Sequence, residues 1–184
     1  MARQSGNAFN IAYCGIIVAL STVIMLAALI PSMTYVLPAV SGLCIWTVSE
    51  QINKKWGILA YGASAALCFM IIPEIEADLF YLFFFGYYPM VKEKLDEIKP
   101  KVLSVSEKFG VFNVSVVIAF FILSKIMNLE QILEGLEGFG DAAVYVLWGS
   151  ANVAFVFYDI CIKQIFYAFR KWIKPKINKK LKKG

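Results

Sequence analysis

Long apolar blocks alternate with short polar ones along the chain, and the blocks fall at residues 11–30, 35–49, 56–72, 77–91, 110–127 and 142–169. Crossing the hydrocarbon core of a bilayer takes roughly 17–25 apolar residues in a helix, because only a helix or a closed barrel satisfies its own backbone polar groups there. The pattern therefore predicts an all-α, polytopic integral membrane protein of about six transmembrane helices. Residues 1–184 read as a single transmembrane domain ending in a basic tail, 170–184.

The polar punctuation supports these bounds. Pro31 and Pro73 close the first and third blocks, since proline cannot continue a helix and disfavours helical backbone in the residue before it. Glu50 and Lys54, four apart in the exit of the second block, are spaced for a helical ion pair. The stretch 91–109 sets Leu95, Ile98, Val102 and Phe109 against lysines and glutamates and is broken by Pro100, which predicts two short amphipathic pieces on the membrane surface. In 128–141, Glu130, Glu134, Glu137 and Asp141 form one acidic stripe opposite Leu129, Ile132, Leu133 and Leu136, a second surface helix.

Composition narrows the function classes. The chain is 60% hydrophobic and only 17% charged, whereas a soluble domain carries about a quarter of its residues as charges. Its net charge of +5 is gathered into inter-block loops and is not a nucleic-acid signal. There is no histidine, which removes the commonest general base and metal ligand. Cys14, Cys44, Cys68 and Cys161 lie inside apolar blocks without CxxC spacing and read as small buried hydrophobes. No phosphate loop, GxSxG or HExxH is present. The reading is a non-enzyme with no metal site, no cofactor and no nucleic-acid partner.

Charge also predicts orientation. With six crossings both termini share one side, and 16 of the 18 Lys and Arg residues fall on it, while Glu74, Glu76, Asp78, Glu130, Glu134, Glu137 and Asp141 fall on the other. The positive-inside rule then puts both termini in the cytoplasm of a multi-pass cell-membrane protein. The basic tail can meet anionic lipid, and the acids at 74, 76 and 78 read as solvating an outer loop.

Several side chains could carry function. Phe80, Tyr81, Phe84 and Phe85 of the fourth block, and Tyr145, Trp148 and Asn152 of the sixth, are placed at similar outer depth. Aromatic walls and one amide suit a planar organic ligand; an interfacial aromatic belt is the alternative. Tyr87 and Tyr88 read as anchors at the cytoplasmic interface. Asp159 and Lys163, one turn apart inside the sixth block, read as a structural ion pair. Ala12, Gly15 and Ala19 form a small-residue face on the first block, and Gly15-x-x-x-Ala19 lets another helix approach closely.

In its size, six predicted spans, cytoplasmic termini and the small residues within AYCGIIVALSTVIMLAALIP, the chain resembles the substrate-binding S component of energy-coupling factor vitamin transporters. That family docks through an Ala-x-x-x-Ala pattern in its first helix, and here Gly15 stands for the first alanine. The resemblance implies a substrate-binding membrane subunit for uptake of a vitamin or aromatic metabolite. It also implies a transmembrane coupling subunit and cytosolic ATPases as partners, and an outer ligand pocket walled by spans 4 and 6 and the 73–78 loop. The alternative is a non-catalytic membrane scaffold that binds other membrane proteins or lipids.

Overall fold

A computed structural model describes residues 2–30, 33–126 and 142–175. All regular structure among the described residues is helical. The chain divides into two compact units, residues 1–127 and 128–184.

Unit 1 begins with α1, Ala2–Leu26, which tightens into a 3-10 turn over Ala27–Leu29. Ile30 is already extended (ψ 121°), as a residue before proline should be. Helix α2, Val36–Gln51, tolerates Pro38 because that residue sits in its first turn, where no helical partner is lost. The chain then breaks at 52–53. Asn53 caps α3, Lys54–Ile71, its side-chain oxygen accepting from the Trp56 N–H at 3.0 Å. Glu50 and Lys54 consequently stand on different helices, on either side of this break.

The expected fourth crossing is one path made of three pieces. Helix α4 covers Ile75–Phe80, a π-helical turn covers Tyr81–Phe85, and α5 covers Tyr88–Asp96. Pro89 is the cause. It has no N–H, and in a continuous helix its ring would press on the carbonyl of Phe85. The helix opens one turn early instead: Gly86 N–H reaches back five residues to Tyr81 O at 2.8 Å, and Pro89 settles in the first turn of α5. The Phe85 carbonyl, which Pro89 cannot engage, comes to rest against Gly42 of α2. A Cβ at position 42 would lie 1.9 Å from that oxygen. Only glycine permits this approach.

Helix α6, Lys101–Ile126, corrects a second expectation. The piece after Pro100 is not a separate surface helix. It is the first two turns of the same helix that makes the fifth block, and the piece before Pro100 is the end of α5. Ser104 Oγ donates to Leu95 O at 2.6 Å, so the two helices are tied across the Pro100 corner.

Helices α1, α2 and α3 pack on one another; α4, the π turn and α5 pack against α2, and α6 packs on those three in turn. Met25, Ile45, Trp46, Tyr81, Phe84 and Tyr88 are fully enclosed. Phe84 stacks edge-on against Phe112 of α6, with centroids 5.2 Å apart, and lies 4.6 Å from Tyr88. The outer faces keep large apolar side chains exposed, among them Ile16, Leu20, Ile58, Phe69, Val117 and Phe121. In water that surface would be costly; in lipid it is solvated.

Unit 2 contains α7, Ala143–Ala168, continued by a π-helical turn over Phe169–Ile173. Phe155, Ile162, Phe166 and Phe169 form one buried stripe at helical spacing. Near the end of α7, the Arg170 guanidinium lies over the Phe166 ring at 5.9 Å and the Lys171 ammonium over Tyr167 at 5.4 Å, so both cations fold back along apolar surface.

Among the described residues, three helices are long and apolar enough to cross a membrane: Asn7–Leu29, Lys101–Ile126 and Ala143–Ile173. The chain is a membrane protein on that evidence. The other three expected spans miss the measure for separate reasons. Helix α2 has 16 residues, α3 starts with two lysines, and the fourth path is divided. The expected acidic surface helix, 128–141, and the end of the basic tail lie outside the described residues.

Candidate functional site

Four elements of unit 1 bring one hydroxyl each to a common point. Ser21 (α1), Ser41 (α2), Ser64 (α3) and Tyr81 (π turn) are completely buried. Ser21 Oγ lies 2.5 Å from Ser41 Oγ, 2.9 Å from Ser64 Oγ and 3.3 Å from Tyr81 Oη, and Ser64 lies 2.9 Å from Tyr81. Each hydroxyl has another as a partner, and Ser41 Oγ also reaches the Ser21 carbonyl at 3.3 Å. Such sites make apolar bundles specific, because any other register strands a polar group in the core. Cys68, one turn beyond Ser64, adjoins the Ser64 and Thr22 hydroxyls, and Asp78 lies close enough to Cys68 to act on it electrostatically.

Asp78 is the most unusual member of this region. It is only 5% exposed, and its Oδ1 has no hydrogen-bond partner among the described residues. The acids at 74, 76 and 78 are therefore not one solvated loop set. Glu74 and Glu76 are half-buried at the rim, where the Tyr35 hydroxyl donates to Glu76; Asp78 points into the core.

The sequence-predicted ligand residues separate. Phe80 packs edge-on against Tyr35 with centroids 5.3 Å apart. Tyr81 belongs to the hydroxyl network, and Phe84 to the aromatic core with Phe85, Tyr88 and Phe112. These three side chains do not converge on one open surface of unit 1. In unit 2, Tyr145 is 74% and Trp148 44% exposed, and the Asn152 amide donates to the Trp148 carbonyl at 2.9 Å. Asp159 is half-buried and Lys163 exposed.

Tyr88, expected as an interfacial anchor, is enclosed in the core. Tyr87 instead borders an open groove of about 570 Å³, together with Phe83, Leu95, Glu107, Val111 and Ser115. Its hydroxyl lies 2.9 Å from Ser115 Oγ.

Ala12, Gly15 and Ala19 all lie on the exposed side of α1, with open space around Gly15. The opposite side of the same helix, Val18, Ser21, Thr22, Met25 and Ala28, is core. The four cysteines are free, and Cys161 is exposed rather than buried, since it lies off the buried stripe of α7.

Sequence reasoning missed a charged cluster where α5 meets α6. Lys92 is 1% exposed and lies 3.4 Å from Asp96, and the Lys108 ammonium contacts the other oxygen of the same carboxylate. Beside them Trp46 Nε1 donates to Glu93 at 2.9 Å. The i,i+4 spacing of Lys92 and Asp96 was visible, but the third partner required knowing how the Pro100 corner folds.

Set against models of protein families, against curated proteins and against solved structures, the chain has no match.

Proposed function

We propose that this chain is the substrate-binding membrane subunit of a small-molecule uptake system, with a vitamin or aromatic metabolite as ligand, and that it docks on a membrane coupling partner through α1. The observation that carries this reading is the division of α1. One side is built into the core, while the other offers Ala12, Gly15 and Ala19 with nothing in contact with Gly15. A helix held rigidly from behind, with small residues in front, suits close helix–helix approach in lipid, where packing rather than hydrophobicity drives association. A coupling membrane subunit working with cytosolic ATPases is the partner class this surface suits. On the ligand side, exposed Tyr145 and Trp148 with Asn152 on α7 supply stacking surfaces and an amide.

In this reading the chain crosses the cell membrane six times with both termini in the cytoplasm. Helices α2 and α3 are short crossings, and α4, the π turn and α5 form a broken one. Broken crossings are tolerated where the irregular backbone is covered by protein, as the Phe85 carbonyl is by Gly42. Lys54, Lys55, Lys92, Lys94, Lys99, Lys101 and Lys108 then share the cytoplasmic side with the tail.

Gly15→Leu tests the docking surface. Because the space around Gly15 is open and leucine is a better helix former than glycine, the variant should leave the isolated protein at least as thermally stable as wild type. It should lose most of the coupling partner recovered when both are produced together. Unchanged recovery sinks the α1 docking claim. A scaffold without a ligand is favoured by one observation, the burial of Tyr81 and Phe84 in the core of unit 1. That reading requires partner recovery with no stabilising small molecule.

A further inference from the structure

We propose that Asp78 is a proton-binding site in the core of unit 1, its carboxyl carrying an exchangeable proton while the unit is packed. This goes beyond the uptake reading and does not depend on it.

The case rests on geometry. Asp78 is 95% removed from solvent, and one of its oxygens is fully buried without a hydrogen-bond partner among the described residues. An ionised carboxylate in that state has one oxygen stripped of its hydration with nothing in return. A neutral carboxyl leaves only an unpartnered carbonyl oxygen, which is far cheaper. The remaining routes to neutrality are a basic side chain or a metal ion. No Lys or Arg lies between Lys55 and Lys92, nor between Lys108 and Lys125, so the neighbouring segments of α3 and α6 bring no cation to the middle of the unit. Lys125, in the last turn of α6, is exposed and lies over the Phe121 ring.

The cations on the elements packed against α4 are Lys54 and Lys55 in the first turn of α3, and Lys101, Lys108 and Lys125 on α6; the other titratable groups around Asp78 are acids, thiols and phenols. Helix α3 brings Cys68 and Tyr61, the π turn Tyr81, α2 Cys44, α1 Tyr13 and Cys14, and the chain just before and within α4 adds Glu74 and Glu76. A metal ion fits less well than a proton. Sodium and calcium want about six oxygens, yet the nearby hydroxyls of Ser21, Ser41, Ser64 and Tyr81 are engaged with one another at 2.5–3.3 Å. Among the described residues no group of three or more His, Cys, Asp or Glu side chains is placed to hold a metal.

The location gives the proton a consequence. Asp78 sits three residues before Tyr81, where the path turns from α helix to π turn, and Tyr81 ties that turn to α1 and α3. Ionising Asp78 would place a charge beside the junction that positions Tyr81, and the least costly response is to open α4 toward the rim. Proton release and loosening of α4 are then the same event.

Infrared spectroscopy of the whole protein in lipid reads the site directly. Above about pH 5.5 exposed acids are largely ionised, so a protonated-carboxyl C=O band that persists there reports a shielded one. Wild type should show such a band, equivalent to one carboxyl. Labelling with 13C-aspartate should shift it, and raising the pH should abolish it. It should be lost in Asp78→Asn and kept in Glu74→Gln, Glu76→Gln and Asp159→Asn. The thermal midpoint of wild type should fall as pH rises through the same transition, since the packed state then has to bury a charge or open. Asp78→Asn should show no such fall. If Asp78→Asn does not fold, the isotope shift and pH dependence of the wild-type band still decide. A band that vanishes together with those of the exposed acids, its survival in Asp78→Asn, or a midpoint that depends on sodium instead of pH overturns the proposal.

Discussion

Gly42→Ala is expected to prevent unit 1 from packing as described. The added methyl carbon would lie 1.9 Å from the Phe85 carbonyl oxygen and 2.7 Å from its carbon. A side chain in the way could rotate; this obstacle is backbone. It is fixed by the π turn before it, by Pro89 after it, and by Gly86 behind it, where a Cβ would meet the Tyr61 ring at 2.6 Å. To admit the methyl, α2 and the π turn must separate, which would pull Tyr81 from Ser64. Overpacking a core costs about 1–3 kcal/mol when the surroundings adjust, and a backbone clash belongs at or above the top of that range. The expected result is a thermal midpoint in detergent lowered by many degrees, or protein that is recovered only as aggregate. Gly15→Ala and Gly62→Ala are the controls. Neither meets any atom within 4 Å, and alanine favours a helix over glycine by about 1 kcal/mol. Equal stability of Gly42→Ala and Gly15→Ala would show that α2 and the π turn do not meet this way.

Asp96→Asn should be the next most damaging change. The two lysines that converge on this carboxylate come from α5 and α6, and Lys92 is almost wholly enclosed. The amide keeps the shape and removes the charge, so two ammonium groups are left close together without their shared anion. Breaking a buried pair from one side costs about 3–5 kcal/mol. Because Asp96 itself is 40% exposed, water offsets part of this, and a loss of about 2 kcal/mol is expected. Replacing all three residues with apolar ones of similar size, Lys92→Met, Asp96→Leu and Lys108→Met, should recover most of the loss, because desolvation is then no longer charged against the fold. Urea or thermal unfolding in detergent measures both. If the single variant unfolds like wild type, the α5–α6 corner does not depend on this carboxylate.

Much of the architecture was legible in the apolar blocks, because hydrophobic length is a direct measure of what a helix can do in lipid. Pro31 and Pro73 marked helix ends within two residues, since their effect on backbone is local. Pro89 and Pro100 were harder to read. Both are local breaks as well, but where the chain goes after each depends on contacts far away in sequence: Phe85 against Gly42, Lys108 against Asp96. The merging of 101–109 with the fifth block follows from that second contact, which turns an apparently surface-bound segment into the base of α6.

The candidate site was less legible for a related reason. Ser21, Ser41 and Ser64 are ordinary residues in apolar blocks, and nothing in the spacing within any one helix marks them as a set. In sequence, Tyr81 and Phe84 read as two members of one aromatic wall. The π turn displaces their directions, so that Tyr81 faces the hydroxyls of α1 and α3 while Phe84 faces Phe112 of α6. Asp78 carried a visible signal, as an acid already inside the fourth block. Its neighbours Glu74 and Glu76 disguised it as part of a polar loop.

Ligand binding tests the central claim most directly. The full-length protein, purified in detergent, should be surveyed against vitamins and planar aromatic metabolites by thermal shift. At least one compound should raise the midpoint in a saturable way, by about 2.7 kcal/mol of added stability when present at 100 times its Kd. Trp148→Ala, which truncates an exposed side chain, should weaken that response without lowering the midpoint of the free protein. A survey in which nothing stabilises the wild type, or in which Trp148→Ala responds as the wild type does, contradicts the assignment of a substrate-binding subunit.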